Sequence, residues 1–399
     1  MCYALCDFLL NIMRILYHHR TQAEDAQGIH IEEMVKAFRD LGHEVEMVAL
    51  VKKEATDLGK KNGNFWRWLK DLTPSWGYEL MSLGYNLYGY QKLSKKIRSK
   101  RPDLIYERYS LNTFCGIWAS KRFGIPLILE VNAPLYYEQN NLGKLTFKRL
   151  ARFSERWVCS NSKRTIVVSN VMKESLEKEG VPGEKMVVMP NGIDPEKFHL
   201  KISGDAVRQR YGLNGKIVIG FVGWFRKWHG LEMLIEAFHE GNLGQNNAKL
   251  LLVGDGPAAH NLREYVQKYG LVDQVIFTGP LRRNEIPGHI AAMDITVQPS
   301  APAYACPIKI LEYMAMGKCI IAPDQPNIRE ILQDGINSYL FKPQDQENLR
   351  EVLLKVIGNR CVRHPVEQLA YETIYKKHYL WYVNARRVVD FVSEDSASE

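Results

Sequence analysis

Short, mostly apolar runs recur along this chain, and a segment with helical spacing follows nearly every one. From Lys216 the run KIVIGFVG leads into the loop WFRKWHG and a helical pattern that starts at Leu231. Strand-like runs then fall at 249–253, 275–278, 295–299, 319–322 and 338–341, with helical patterns up to Tyr269, at 285–293 and at 327–332. The first half has the same grammar. Runs at 13–17, 44–50, 103–107, 126–131, 165–169 and 186–189 alternate with helical patterns at 29–41, 91–101, 111–123 and 144–160, and one to Glu179. A run with no polar alternate needs cover on both faces, which helices on a parallel sheet provide. The alternation predicts an α/β chain of doubly wound parallel sheets, and 399 residues suffice for two such units.

The stretch PSAPAYACPIKILEYMAMGKCIIAP, residues 299–323, carries the most chemistry. Pro307 suits the first turn of a helix, and Ile308, Leu311, Met314 and Ala315 recur at helical spacing before Gly317. The free amides near 306–308 would form an anion site with the positive end of the helix dipole behind them. Glu312 lies roughly 6 Å further along the axis. A phosphate at the helix start would leave a pair of sugar hydroxyls within reach of that carboxylate.

This segment resembles the donor-site signature of retaining glycosyltransferases with the GT-B fold, the glycosyltransferase group 1 family. There a Glu, seven residues and a second Glu precede an Ala-x-Gly turn. The second Glu matches Glu312, which the resemblance assigns to the nucleotide ribose; the first falls on Tyr304. The form CPIKILEYMAMGK, with Pro307, Ile308 and Lys309, resembles one branch of the family. The resemblance implies two Rossmann-like domains facing a cleft. It places an acceptor domain at 13–200, a donor domain at 201–370 and a helix at 371–392 crossing back. Residues 1–12 read as an extension and 393–399 as a disordered tail.

Further site residues follow from the same resemblance. Gly28 matches a glycine that approaches the donor phosphates, and PNGID at 190–194 the segment between the domains. Glu130 and Asn132 end the 126–131 strand, where the family often has a His near the reacting sugar. The loop after Gly223 resembles the phosphate-binding loop, but Trp224 and His229 stand where its usual cations would be. Arg226 and Lys227 then supply the charge, and Arg suits phosphate because its planar fork binds two oxygens. Gly254 would admit a backbone to the donor, and Leu281 and Arg282 lie where the family contacts the base.

The implied activity is that of a retaining hexosyltransferase-type enzyme. A sugar would move from a nucleotide diphosphate sugar, a co-substrate rather than a cofactor, to a glycan or lipid-linked acceptor. The chain has no Asp-x-Asp pair, so a metal-independent reaction is expected. The alternatives are a GT-B protein that binds a nucleotide sugar without turnover, motivated by Tyr304, Trp224, His229 and Asn132, and a GT-B epimerase or phosphorylase.

Charge and cysteines bound the setting. A formal charge of +8 permits anionic partners, but no stretch resembles a nucleic-acid module. The seven cysteines show no metal or disulfide spacing, which fits a reducing cytoplasm. The opening MCYALCDFLLNI is too short to span a bilayer. Basic faces at 92–101 and 148–156 make contact with the inner membrane face a further expectation, with a solvated charged face as the alternative. The aromatic stretch 52–90 reads either as an insertion whose aromatics complete a small core of its own or as a contact for the acceptor or the membrane interface.

Overall fold

The computed structural model describes residues 12–21, 26–49 and 75–393. The expected extension before Ile12, the aromatic stretch as far as residue 74 and the tail from 394 lie outside these residues. Two six-stranded sheets form, every strand pairing parallel. The first contains β1 (Arg14–His19), β2 (Glu44–Ala49), β3 (Leu104–Arg108), β4 (Leu127–Val131), β5 (Arg164–Val167) and β6 (Met186–Val188), in the order β2-β1-β3-β4-β5-β6. The second contains β7 (Ile217–Val222), β8 (Ala248–Val253), β9 (Val275–Phe277), β10 (Ile295–Val297), β11 (Cys319–Pro323) and β12 (Tyr339–Phe341), in the order β12-β11-β10-β7-β8-β9.

Two compact units result. One holds the first sheet, with Lys173–Met189 and the chain from Asn384; the other holds Val168–Met172 and Pro190–Val383. The apolar runs explain the layers. β3, β4 and β11 are buried along their whole length, as strands covered by helices on both faces must be. In the second unit Phe221, Phe238, Leu250, Leu252, Ile295 and Phe341 join one core. Gly220 in β7 packs closely against Met293, whose sulfur would lie 2.2 Å from a Cβ there.

Strand order sets where ligands can go. In each sheet the winding reverses between two strands whose loops then diverge: β1 and β3 in the first, β7 and β10 in the second. Open α/β sheets bind ligands at the carboxyl ends of such strands.

Several helices differ from expectation. A single helix, Ser75–Ser99, replaces the one expected at 91–101. Its aromatics and glycines blur the helical period, yet Gly89 is a packing residue whose Cβ would lie 2.7 Å from Cys115 Sγ. Helix Ala26–Asp40 begins early enough to take Gly28 into its first turn, so Gly28 is a buried helical residue, not a loop residue. Helices Leu135–Asn141, Asp205–Arg210 and Gln346–Ile357 were not expected. The single helix expected at 371–392 is instead two, Arg360–Lys376 and Trp381–Ser393, with His378 at φ 55° between them.

Candidate active site

In the second unit the loop after β7 is built by glycines. Gly254 has φ 125°, and a Cβ there would lie 2.1 Å from the Gly223 carbonyl oxygen. Gly256 makes the same allowance for the backbone of Phe225, at 2.5 Å. The loops after β7 and β8 therefore meet backbone to backbone, fixed by Phe225 N–H donating to the Asp255 carbonyl at 2.6 Å. The Gly223 backbone fills the space where a Gly254 Cβ would stand. Phe225 is buried and anchors the loop, while Trp224, Lys227 and Trp228 are exposed.

Arg226 and Lys227, the expected leaving-group cations, are thus not equivalent. Lys227 points away from the core, and the Arg226 guanidinium lies 5.3 Å from the centre of the Trp228 ring. His229 Nδ1 accepts from the Arg226 N–H at 3.4 Å, and its ring packs on Phe221. Burial first, then the charge of Lys309, pushes the His229 pKa far down and keeps the imidazole neutral.

The cation at the centre is Lys309. Helix Ile308–Ala315 starts one residue after Pro307, which occupies the capping position and not the first turn. That places Lys309 Nζ 3.9 Å from the centre of the Phe221 ring and beside Gly223, whose Cβ would lie 2.7 Å from it. Part of the stem is exposed, but the ammonium is buried without a hydrogen-bond partner. Burial pushes its pKa down to about 7, opposed by Glu312 one turn further along.

Glu312 is buried at 3% exposure and paired with Arg283. The Arg283 guanidinium in turn lies 4.8 Å from the centre of the Phe198 ring. Its neighbour Arg282, the residue singled out from the sequence, is exposed and pairs with Glu285 at 3.1 Å; Leu281 is half-buried beside it. Tyr313 ties this helix to the sheet, its hydroxyl accepting from the Val222 N–H at 2.8 Å. A Cβ on Gly230 would lie 3.2 Å from that of Ser300, so the loops after β7 and β10 meet at the reversal of strand order. Tyr304 lies half-buried in the loop between β10 and Pro307.

The first unit gathers a second polar group at its own reversal. Glu130, buried at the end of β4, pairs with Arg108 at 2.5 Å and lies 3.3 Å from His30. It also accepts from the Tyr106 hydroxyl at 2.7 Å and from the Asn132 amide. Burial alone would raise its pKa, but His30, Arg108, Tyr106 and Asn132 together lower it. Glu130 is thus a saturated anion that positions Asn132, whose carbonyl oxygen is buried without a partner. Beside it, His18 and Glu107 lie 2.5 Å apart with Tyr85 on the other ring nitrogen at 3.0 Å. Burial, then His18, pushes His19 down to about 4. Sequence reasoning missed Arg108, His18, His19 and His30; the His18–His19 doublet closing the first strand was the available signal.

Among the described residues, no group of three or more His, Cys, Asp or Glu could hold a metal ion, and no helix is long and apolar enough to cross a membrane.

Known proteins match both halves. The family described as glycosyl transferases group 1 fits residues 216–359, and glycosyltransferase family 4 fits 27–197. Alpha-D-kanosaminyltransferase of Streptomyces kanamyceticus is 24% identical over 257 residues, which is 63% of this chain and 66% of that one. The match therefore spans just under two thirds of that relative's length. Among solved structures, a glycosyltransferase of Rickettsia africae aligns with a TM-score of 0.72 at 15% identity, over 96% of this chain and 98% of that one. HepE of Anabaena, solved in complex with UDP, aligns with 0.71 at 20% identity, over 96% and 100%.

Proposed function

The chain belongs to the group 1 glycosyltransferases and has the GT-B fold; on that premise we propose that it moves a sugar from a nucleotide diphosphate to a glycan or lipid-linked acceptor. The observation that carries this reading is the buried Lys309 ammonium beside Gly223, with the Glu312–Arg283 pair one helical turn away. A cation in a dry site stabilises a departing diphosphate far more than one in water would. It offsets the absence of cations at Trp224 and His229. Glu312 would take the ribose hydroxyls, and Arg283 holds that carboxylate in place. Complexes of HepE with UDP and with UDP-glucose favour a nucleotide sugar as the donor here. Transfer with retention is the stereochemistry of the signature that Glu312 belongs to.

Lysine and helix amides neutralise a leaving diphosphate without a metal. Release of nucleoside diphosphate from a nucleotide-sugar donor should therefore persist in excess chelator. Loss of activity in chelator, restored by magnesium or manganese, would contradict this chemistry. Tight donor binding with no turnover under any condition would favour the rival reading, a sugar-nucleotide binder.

We further propose contact of the first unit with anionic lipid. Trp76, Leu80, Met81 and Leu87 on helix Ser75–Ser99, and Phe147 and Phe153 at helix Lys148–Asn161, are exposed. The basic faces are partly neutralised, however, since Lys96 pairs with Glu46, Lys100 with Glu44 and Arg152 with Glu179. Binding to anionic vesicles should be measurable by sedimentation at low salt. It should weaken with added salt, as the screening length falls from about 10 Å at 0.1 M to about 3 Å at 1 M. Indifference to vesicles at low salt would leave these faces as solvated surface.

A further inference from the structure

At the other edge of the second sheet, where β10 and β11 begin, lies a cavity of about 300 Å³. Its charged lining is Arg208, Lys318, Arg360 and Arg363 against Asp294 and Glu367, so two positive charges are unmatched. Arg208 and Asp294 cancel, joined at 2.8 Å, and the same Asp294 oxygen accepts from the Val218 N–H. Glu367 is left to face the three remaining cations.

Two of those cations are held in place by neutral groups. Lys318 Nζ donates to the carbonyls of Ala291 and Met293 at 2.9 and 2.8 Å, which orients the ammonium and leaves it one further N–H. Burial pushes its pKa down to about 8, as expected where a charge lacks full compensation. Arg363 Nη1 donates to the carbonyls of Val356 and Ile357, both at 3.0 Å. Arg360 is exposed at the cavity's rim.

The helix that carries them adds an independent sign. Arg360 and Arg363 occupy the first turn of the 17-residue helix Arg360–Lys376, which has no acidic residue in that turn. Asn359 in the capping position makes no side-chain cap. Cations at a helix start oppose its dipole, and an uncapped start leaves N–H groups to be satisfied. A bound anion would answer the dipole and the unmatched charge together.

We propose that this cavity is a binding site for a phosphate group, free or carried on a small metabolite, apart from the donor site at the opposite ends of the same strands. Arginine forks and a lysine point charge are the side chains that recognise such an anion. The volume would take roughly ten waters, enough for a phosphate with a small organic group.

Calorimetry with inorganic phosphate and with glycerol phosphate, at low and constant ionic strength, tests this. One saturable site is expected. Equal affinity for the two would identify free phosphate as the ligand, and tighter binding of the ester a phosphorylated metabolite. Arg360→Glu, at an exposed position, should weaken binding by about tenfold or more, the worth of a charge-assisted contact. Arg363→Gln should do the same in a protein shown to be folded by circular dichroism. Lys309→Met, at the far edge, should leave the affinity within about twofold, as expected of an independent site. No saturable binding of either probe, or binding indifferent to Arg360→Glu, would overturn the proposal. So would binding abolished by Lys309→Met, which would place the phosphate in the donor site. Neither probe is a sugar donor, so the result is independent of the transfer reading.

Discussion

Lys309→Met should lower turnover by about 10²–10³-fold, the loss seen when one preorganised group facing a developing charge is removed. The side chain is the buried cation of the proposed donor site, and methionine keeps its length while removing the charge. The fold should hold or gain stability, because burying an unpaired ammonium costs more than burying a thioether. The pH profile gives a second reading. Burial holds Lys309 near pKa 7, so its charged fraction falls as pH rises through that value. A bound diphosphate favours the ammonium and raises the pKa. Donor affinity should therefore fall above pH 7, by up to about tenfold per pH unit. In Lys309→Met that slope should vanish. Calorimetry with a nucleoside diphosphate from pH 6 to 9 would show it. A wild-type profile with no slope, or the same slope in the variant, would remove Lys309 from the phosphate site.

Glu312→Ala should weaken donor binding roughly ten- to a hundredfold, for loss of charge-assisted hydrogen bonds of about 1.5–3 kcal/mol. Alanine is the best helix former, so the helix itself should tolerate the change. Stability is a separate matter. Glu312 is buried against Arg283, and removing it takes an ion pair away from a guanidinium that is only 20% exposed. A loss of about 1–3 kcal/mol in unfolding free energy is expected. The double variant Arg283→Met/Glu312→Gln separates the two effects. It leaves no unpaired charge, so stability should return while donor affinity should not. Recovery of both would mean that Glu312 serves the fold alone.

Much of this architecture was legible because most strands are short, largely apolar runs. The same property hid the strand order, since nothing in an apolar run says which neighbour it takes. Hence Lys309 and Glu312, three residues apart on one short helix, were visible together, whereas Arg283 was not. It comes from a separate loop 29 residues away, and only the packing of that loop turns it rather than Arg282 onto Glu312. The Glu130 cluster shows the same limit. Its partners Arg108 and His30 come from β3 and the first helix, brought together by a winding order that sequence order does not reveal. Gly254 was legible as a required glycine, but not what it makes room for. Helix Arg360–Lys376 was missed because Pro365 and three basic residues sit where a helix start is normally acidic.

The central claim is that a nucleoside diphosphate binds at Gly223, Lys309 and Glu312. Calorimetry of a nucleoside diphosphate in chelator, against wild type and a folded Glu312→Ala protein, tests it most directly. The expected result is one site in the wild type and a ten- to hundredfold weaker one in the variant, from the same hydrogen-bond loss. Equal affinity in the two proteins would contradict the account.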